Sequence, residues 1–237
     1  MRLNGGMKLA WMLGWMAGAA WSLAAAGEWA AVPPHDTRTG REGGWDMGRL
    51  EVTVGDFAAY LNAAGGDGFP ETAQIAKRRT GGYTARRGTS RQAVSEVTAA
   101  EAEAYARWRS RQAGRTIRLP TGAEWEISAR GGVEGAPFPW GWGGRPERMA
   151  RFDASGPARK GGLFPPNGFG LHDMAGNLYE WCARESGDPP GRRLARGGGW
   201  PEREPSVLRV DRGMPFPEDY RGPDAGFRLL REWKKTE

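Results

Sequence analysis

The sequence predicts an α+β fold class: an irregular, loop-rich chain of short helices and short strands. Three observations predict it. Glycine supplies 38 of the 237 residues, far above average usage, which disfavours long regular helices. A Thr-x-x-acid pattern, the sequence signature of a helix start, occurs three times: Thr53 with Asp56, Thr98 with Glu101 and Thr121 with Glu124. Towards the C-terminus, short apolar runs are separated by Pro, Glu and Arg, as strands are by loops. Twelve Trp and eight Phe give a chain of this length a substantial core.

The elements follow in order. Residues 1–26 read as an export signal. Arg2 and Lys8 precede an apolar run over residues 9–26 that closes on Ala24-Ala25-Ala26, giving a positive n-region, an h-region and a small-residue cleavage site. Left uncleaved, the run nearly reaches the length of a membrane span; its Ala and Gly content favours cleavage, and no cysteine follows it to carry a lipid. This predicts a periplasmic or secreted protein that meets a membrane only through an uncleaved leader. Residues 27–44 are polar, with Pro33-Pro34, and predict a linker in which His35 is solvated. A single domain is then predicted over residues 45–232, with a tail at 233–237.

Within the domain, Thr53 caps a helix whose Phe57, Leu61 and Ala64 share one face and which Gly65-Gly66 ends. Residues 67–92 read as loop and carry the most basic patch, Lys77-Arg78-Arg79 with Arg86-Arg87. That patch predicts a solvated face or a contact with an acidic surface. Thr98 and Glu101 form a capping box for a helix running to about residue 113 with a buried stripe of Ala104, Tyr105 and Trp108, stopped by Gly114. Residues 117–119 form a short strand, and Thr121 with Glu124 caps a third helix that turns Trp125 inward and stops at Gly131-Gly132. Residues 133–166 predict a long surface loop. Strands are predicted at 194–196, 207–211 and 227–230.

Net charge is +6, mostly arginine, but the arginines are interspersed with acids. Nucleic-acid binding would want a basic stripe, so no nucleic-acid partner is predicted. Cys182 is the one cysteine. It excludes an internal disulfide and sits in an apolar stretch, which predicts a buried, inert thiol. No phosphate loop, zinc spacing or Ser-His-Asp order is present.

The densest stretch is residues 167–181, NGFGLHDMAGNLYEW. It turns repeatedly at Asn167-Gly168, Gly170 and Gly176, so its carbonyls need partners outside a ladder. The spacing allows a Ca²⁺ site built from Asp173 and Glu180 with the carbonyls of Gly176 and Leu178. The spacing alone favours the plainer arrangement, in which Asp173 caps a turn and Glu180 pairs with an arginine.

This stretch resembles the signature of the formylglycine-generating enzyme family, or sulfatase-modifying factors. RLPTGAEWEISARGG from Arg118, LARGGGW from Leu194 and GFRLLR from Gly226 agree in order and spacing, so the likeness covers residues 45–231. The resemblance implies one irregular α+β domain related to the C-type lectin fold, with small antiparallel sheets. It also implies calcium at the positions of Asp173, Gly176, Leu178 and Glu180. A second calcium loop of the family is not carried over, because only Asp153 is an obvious carboxylate in the matching loop. In the family, two cysteines after the glycine turn bind copper(I) and convert a substrate cysteine to formylglycine. Their positions fall near Glu202 and Val207 here, so no copper site is expected. An iron site of three histidines, found in another branch, is not expected either: the chain has only His35 and His172.

What the resemblance leaves is a groove presenting Trp200, Glu202, Arg203, Arg209, Asp211, Arg212 and Tyr220. Arginine forks and aromatic faces suit a peptide, a protein or a small polar ligand of the envelope. The competing reading pairs Arg209, Arg212 and Arg228 internally with Glu180, Asp211 or Asp224. The sequence thus predicts a binding or accessory module. The runner-up is an oxidoreductase of different chemistry, similar to the periplasmic members that mature siderophore chromophores.

Overall fold

A computed structural model describes residues 28–33, 43–66 and 68–233. The predicted leader, His35 and residues 234–237 lie outside the described residues. The three Thr-x-x-acid signals each start a helix: α1 (Val54–Ala63), α2 (Ala99–Ala113) and α3 (Gly122–Arg130). The hydroxyls of Thr53, Thr98 and Thr121 accept from the backbone N–H three residues on, and the latter two form complete capping boxes, satisfying donors a helix start leaves free. Gly114 and Gly131 end α2 and α3 in the left-handed conformation, where a side chain would be strained. The buried face of α2 is Ala99, Ala102, Tyr105 and Ala106. Ala104 and Trp108, expected in that stripe, are only partly buried: the buried face is centred on Ala102, Tyr105 and Ala106, and the Trp108 indole lies at its edge against Tyr60 and Tyr105.

Ten strands make three small sheets among the described residues. β1 (Trp29–Val32), β2 (Trp45–Gly48), β10 (Leu230–Glu232) and β5 (Ile117–Arg118) form one antiparallel sheet, in that order. β3 (Ile75–Lys77) and β4 (Tyr83–Ala85) form a hairpin. The third sheet runs β8 (Gly213–Pro217), β7 (Arg192–Arg196), β6 (Tyr179–Trp181), β9 (Ala225–Gly226), and here β6 and β9 are parallel.

Several predictions from sequence need correction. Residues 29–32 are not linker but β1, with Trp29, Ala30 and Val32 buried: their polar flanks hid an apolar strand that pairs with β2. Residues 67–92 contain the β3–β4 hairpin. Residues 207–211 are not a strand, because Pro205 opens a 3₁₀ turn over Pro205–Leu208 and proline leaves the chain without the donor a ladder needs. The strand expected at 227–230 is split into β9 and β10, so that Phe227, Arg228 and Leu229 lie between two sheets and are buried against both.

The core follows from this split. Phe57 on α1 meets Tyr60, Phe69, Tyr105 and Phe227 with ring centroids 5.4–6.1 Å apart, edge-on to Tyr60 and Phe227, tilted to Phe69 and stacked on Tyr105, geometries that aromatic pairs prefer. A second cluster holds Trp45, Trp125, Leu171, Met174, Cys182 and Leu230. Arg231 pairs across the β2–β10 ladder with Asp46 at 2.7 Å and lies over the Trp29 ring at 4.6 Å. The first and last strands are thereby fixed to one sheet.

Candidate functional site

After β7 the chain must fold back over β6. Gly197 and Gly198 adopt φ of +98° and +77°, and a Cβ on Gly198 would lie 3.1 Å from the side chains of both Leu208 and Val207. Only glycine gives this turn together with so close an approach. The returning segment is tied down: Trp200 N–H donates to Asn177 O at 3.0 Å, and Asp153 N–H to Glu202 O at 2.6 Å. Between the 3₁₀ turn and β8 this leaves a groove of about 270 Å³ lined by Tyr179, Ser206, Val207, Arg212, Gly213 and Met214.

Tyr179 is its polar floor. The ring is buried, and its hydroxyl donates to Glu202 Oε1 at 2.8 Å. Burial first, and the Glu202 carboxylate second, push its pKa up, so the phenol is a neutral donor at any physiological pH. Phe216 meets Tyr179 edge-on at 5.1 Å and stacks on Tyr220 at 4.4 Å. Tyr220 is in turn oriented by donating to Asp224 Oδ1 at 2.7 Å. Arg212 and Met214 stand exposed at the mouth.

Of the residues predicted from sequence, Arg212 lines the groove and Glu202 reaches it through Tyr179. Trp200 is half-buried, donating to Pro223 O at 3.0 Å and packing on Ala93, Ala158 and Leu178. Arg203 is solvent-exposed, 3.7 Å from an equally exposed Asp153, a pair worth little in water. Arg209 forks onto Asp211 at 2.9 and 2.6 Å, the internal pairing that the sequence also allowed. Tyr179, Ser206 and Met214 were not read as groove residues. Tyr179 carries a faint signal, since a phenol inside a short buried strand must find a partner.

A second polar centre lies beneath the 167–181 stretch. Glu180 is wholly buried. Arg228 Nη2 and Nε donate to its two oxygens at 2.6 Å each, and Trp125 Nε1 donates to Oε2 at 2.6 Å. Asp173 has φ of +54° and accepts from Gly162 N–H at 2.6 Å, a turn-capping role. Gly176, at φ +76°, bridges to Arg151, and Leu178 is wholly buried. His172 packs with Nδ1 3.0 Å from Phe164 O. Glu51 completes the centre, buried to 4 % exposure, with Oε1 accepting from Asn177 Nδ2 at 2.8 Å. Desolvation, followed by Asp173, pushes its pKa up to about 8.

With this geometry in view, comparison with known proteins decides the family. The model for the sulfatase-modifying factor enzyme 1-like domain matches residues 15–233. The chain belongs to that family. Its curated relatives include the mouse protein named inactive C-alpha-formylglycine-generating enzyme 2, 40 % identical over 121 residues, 45 % of this chain and 37 % of that protein. The formylglycine-generating enzyme of Mycobacterium tuberculosis is 43 % identical over 106 residues, 39 % of this chain and 33 % of that one. The chain thus spans about a third of the length of these relatives. Among solved structures, PvdO from Pseudomonas aeruginosa superposes with a TM-score of 0.64 at 27 % identity, covering 86 % of this chain and 90 % of that one. CarF gives 0.64 at 21 % identity over 88 % and 96 %, a likeness of fold alone.

Membership in the sulfatase-modifying factor family sharpens the chemistry. The two positions where copper thiolates were expected from the resemblance are Glu202, bonded to the groove tyrosine, and Val207, in the groove wall. The one thiol, Cys182, is fully buried in the second core cluster, and burial pushes its pKa up. It is neither at the groove nor ionised. For calcium, Asp173 suits a hard cation, whereas the oxygens of Glu180 are engaged by Arg228 and Trp125. Among the described residues no three Asp, Glu, His or Cys side chains gather as a metal-holding group.

Proposed function

We propose that this chain is a binding or accessory module of the cell envelope, exported by its leader, that receives a peptide or small polar ligand in the groove between Tyr179 and Met214. One observation carries the reading: the groove keeps an oriented polar floor, the Tyr179–Glu202 pair, while thiolate is absent from it. The Tyr179 phenol at the floor, its proton held by Glu202, offers its oxygen to donor groups, and the Arg212 fork at the mouth recognises a carboxylate. A ligand carrying both, such as a short peptide, matches this polarity. The mouse relative whose name describes it as inactive supports a non-catalytic role within the family.

The test is a binding screen of a tetrapeptide library followed by Trp fluorescence and calorimetry. Glu202→Gln and Arg212→Ala are each expected to weaken the selected peptide about tenfold, the loss of roughly one charge-assisted hydrogen bond. Binding that is unchanged in both variants overturns the assignment.

A second reading, an oxidoreductase of different chemistry, is favoured by the likeness to PvdO, which spans nearly all of both chains. Oxygen consumption by the purified protein with a phenolic or amine substrate would move the assignment there.

A further inference from the structure

A larger cavity, of about 340 Å³, shares no lining residue with the groove. It forms where β1, α2 and the link from β2 to α1 meet. Gly48 N–H donates to Leu229 O at 2.8 Å and Val52 N–H to Phe227 O at 3.0 Å, which fixes the link as one wall. Trp29 of β1, Val52 and Leu229 make the lining apolar, and the exposed acids Glu28 and Asp56 stand at its edge. Tyr105 of α2 lines it as well.

Tyr105 points to a ligand. The other two buried tyrosines, Tyr83 and Tyr179, each donate from the hydroxyl to a protein oxygen, at 2.7 and 2.8 Å, as a buried phenol normally does. Tyr105 is 3 % exposed, and its hydroxyl has no hydrogen-bond partner among the described residues. Burial first, and Asp56 second, push its pKa up, so it is a neutral phenol with one hydrogen to give and an oxygen to receive. Each edge acid has one oxygen engaged and one open: Thr53 Oγ1 donates to Asp56 Oδ2 at 2.6 Å, and Arg109 Nη2 to Glu28 Oε1 at 2.8 Å. Of the cations at the cavity, Arg109 is held by Glu28, and Arg49 by the carbonyls of Trp29 and Gly170 at 3.1 and 2.9 Å.

We propose that this cavity binds a small organic ammonium ion, with its nitrogen between Asp56 and the Tyr105 hydroxyl and its carbon body against Trp29, Val52 and Leu229. The edge acids draw a cation towards it. A primary ammonium has three N–H bonds to give, enough for the open oxygens of Asp56 and Glu28 and for the phenol. The apolar lining selects a cation that carries its own carbon body over a metal ion, which demands a shell of oxygens. The size also fits. An apolar cavity of about 150 Å³ holds benzene, so about 340 Å³ takes a ring with an amine-bearing chain. The site is separate from the groove and independent of what the groove binds.

The experiment titrates the full chain by calorimetry with 2-phenylethylamine, tryptamine and n-hexylamine, and with 2-phenylethanol as the uncharged analogue. The wild type is expected to bind one equivalent of at least one amine, to melt at higher temperature in its presence, and to bind the alcohol at least tenfold more weakly than 2-phenylethylamine. Asp56→Asn and Tyr105→Phe are each expected to lower the amine affinity about tenfold, the loss of roughly one charge-assisted hydrogen bond. Both variants keep the fold's own contacts: Asn retains an oxygen for the Thr53 hydroxyl, and Phe retains the ring that packs on Phe57 and Phe227. No binding of any of the three amines at millimolar concentration, equal binding of amine and alcohol, or undiminished affinity in both variants overturns the proposal.

Discussion

Arg228→Met is the most informative single perturbation of the fold. The wild-type guanidinium is wholly buried and donates at 2.6 Å to each oxygen of Glu180, and at 2.9–3.0 Å to His172 O and Gly48 O. Methionine fills the space but supplies no donor. Glu180 keeps only the Trp125 N–H, and Glu51, Asp173 and Glu180 lose the buried guanidinium whose charge acts on all three. Removing one partner of a buried pair costs about 3–5 kcal/mol, and the stranded carbonyls add about 1 kcal/mol or more. A loss of at least about 4 kcal/mol is expected, against a typical total of about 5–15 kcal/mol. Urea titration followed by Trp fluorescence measures it. Glu180→Gln in the same chain is expected to recover part of the loss, because the strongest uncompensated charge goes. A loss below about 1 kcal/mol, or no recovery in the double variant, would refute the ion-pair account.

Three further outcomes follow from the same geometry. The Glu51 pKa lies near 8 when folded against 4.5 ordinarily, so the folded state binds the extra proton. In chelator, stability is expected to fall as pH rises from about 4.5 to about 8 and then to level, and Glu51→Gln is expected to flatten that slope; a slope unchanged by the substitution would contradict it. Cys182 is fully buried, so a thiol reagent is expected to label it only in denaturant, at a rate set by unfolding. Gly176→Ala puts a side chain at φ +76° and 2.5 Å from Arg151 O, and a loss of at least about 2 kcal/mol is expected in the same urea titration.

The parts of this molecule legible in the sequence were those fixed by contacts a few residues apart. The boxes at Thr98 and Thr121 close over three residues, and the stops at Gly114 and Gly131 need only a local positive φ. The Arg209–Asp211 pair, two residues apart, was readable in the same way; that Glu180 would find an arginine was an open alternative, and only the fold brings up Arg228 from 48 residues away. What escaped was set by distant partners. β1 is four residues whose apolar character means nothing until β2 pairs with them. The 3₁₀ turn at Pro205 overrode an apolar run that reads as a strand. Glu51 sits in the apolar run Leu50-Glu51-Val52, a hint of a buried acid. Its partner Asn177, 126 residues away, is invisible without the fold. The groove lost Tyr179 for a similar reason: the residue is core by burial and functional only by the hydroxyl that faces Glu202.

The central claim is that a sulfatase-modifying factor scaffold persists here with a polar floor in place of soft-metal chemistry. Anaerobic copper(I) titration of the purified chain, followed by oxygen uptake with a cysteine-containing peptide, tests it most directly. The account predicts no stoichiometric copper and a peptide whose cysteine is unchanged in mass. One equivalent of copper at the Glu202–Val207 turn, with conversion of that cysteine to formylglycine, would contradict it.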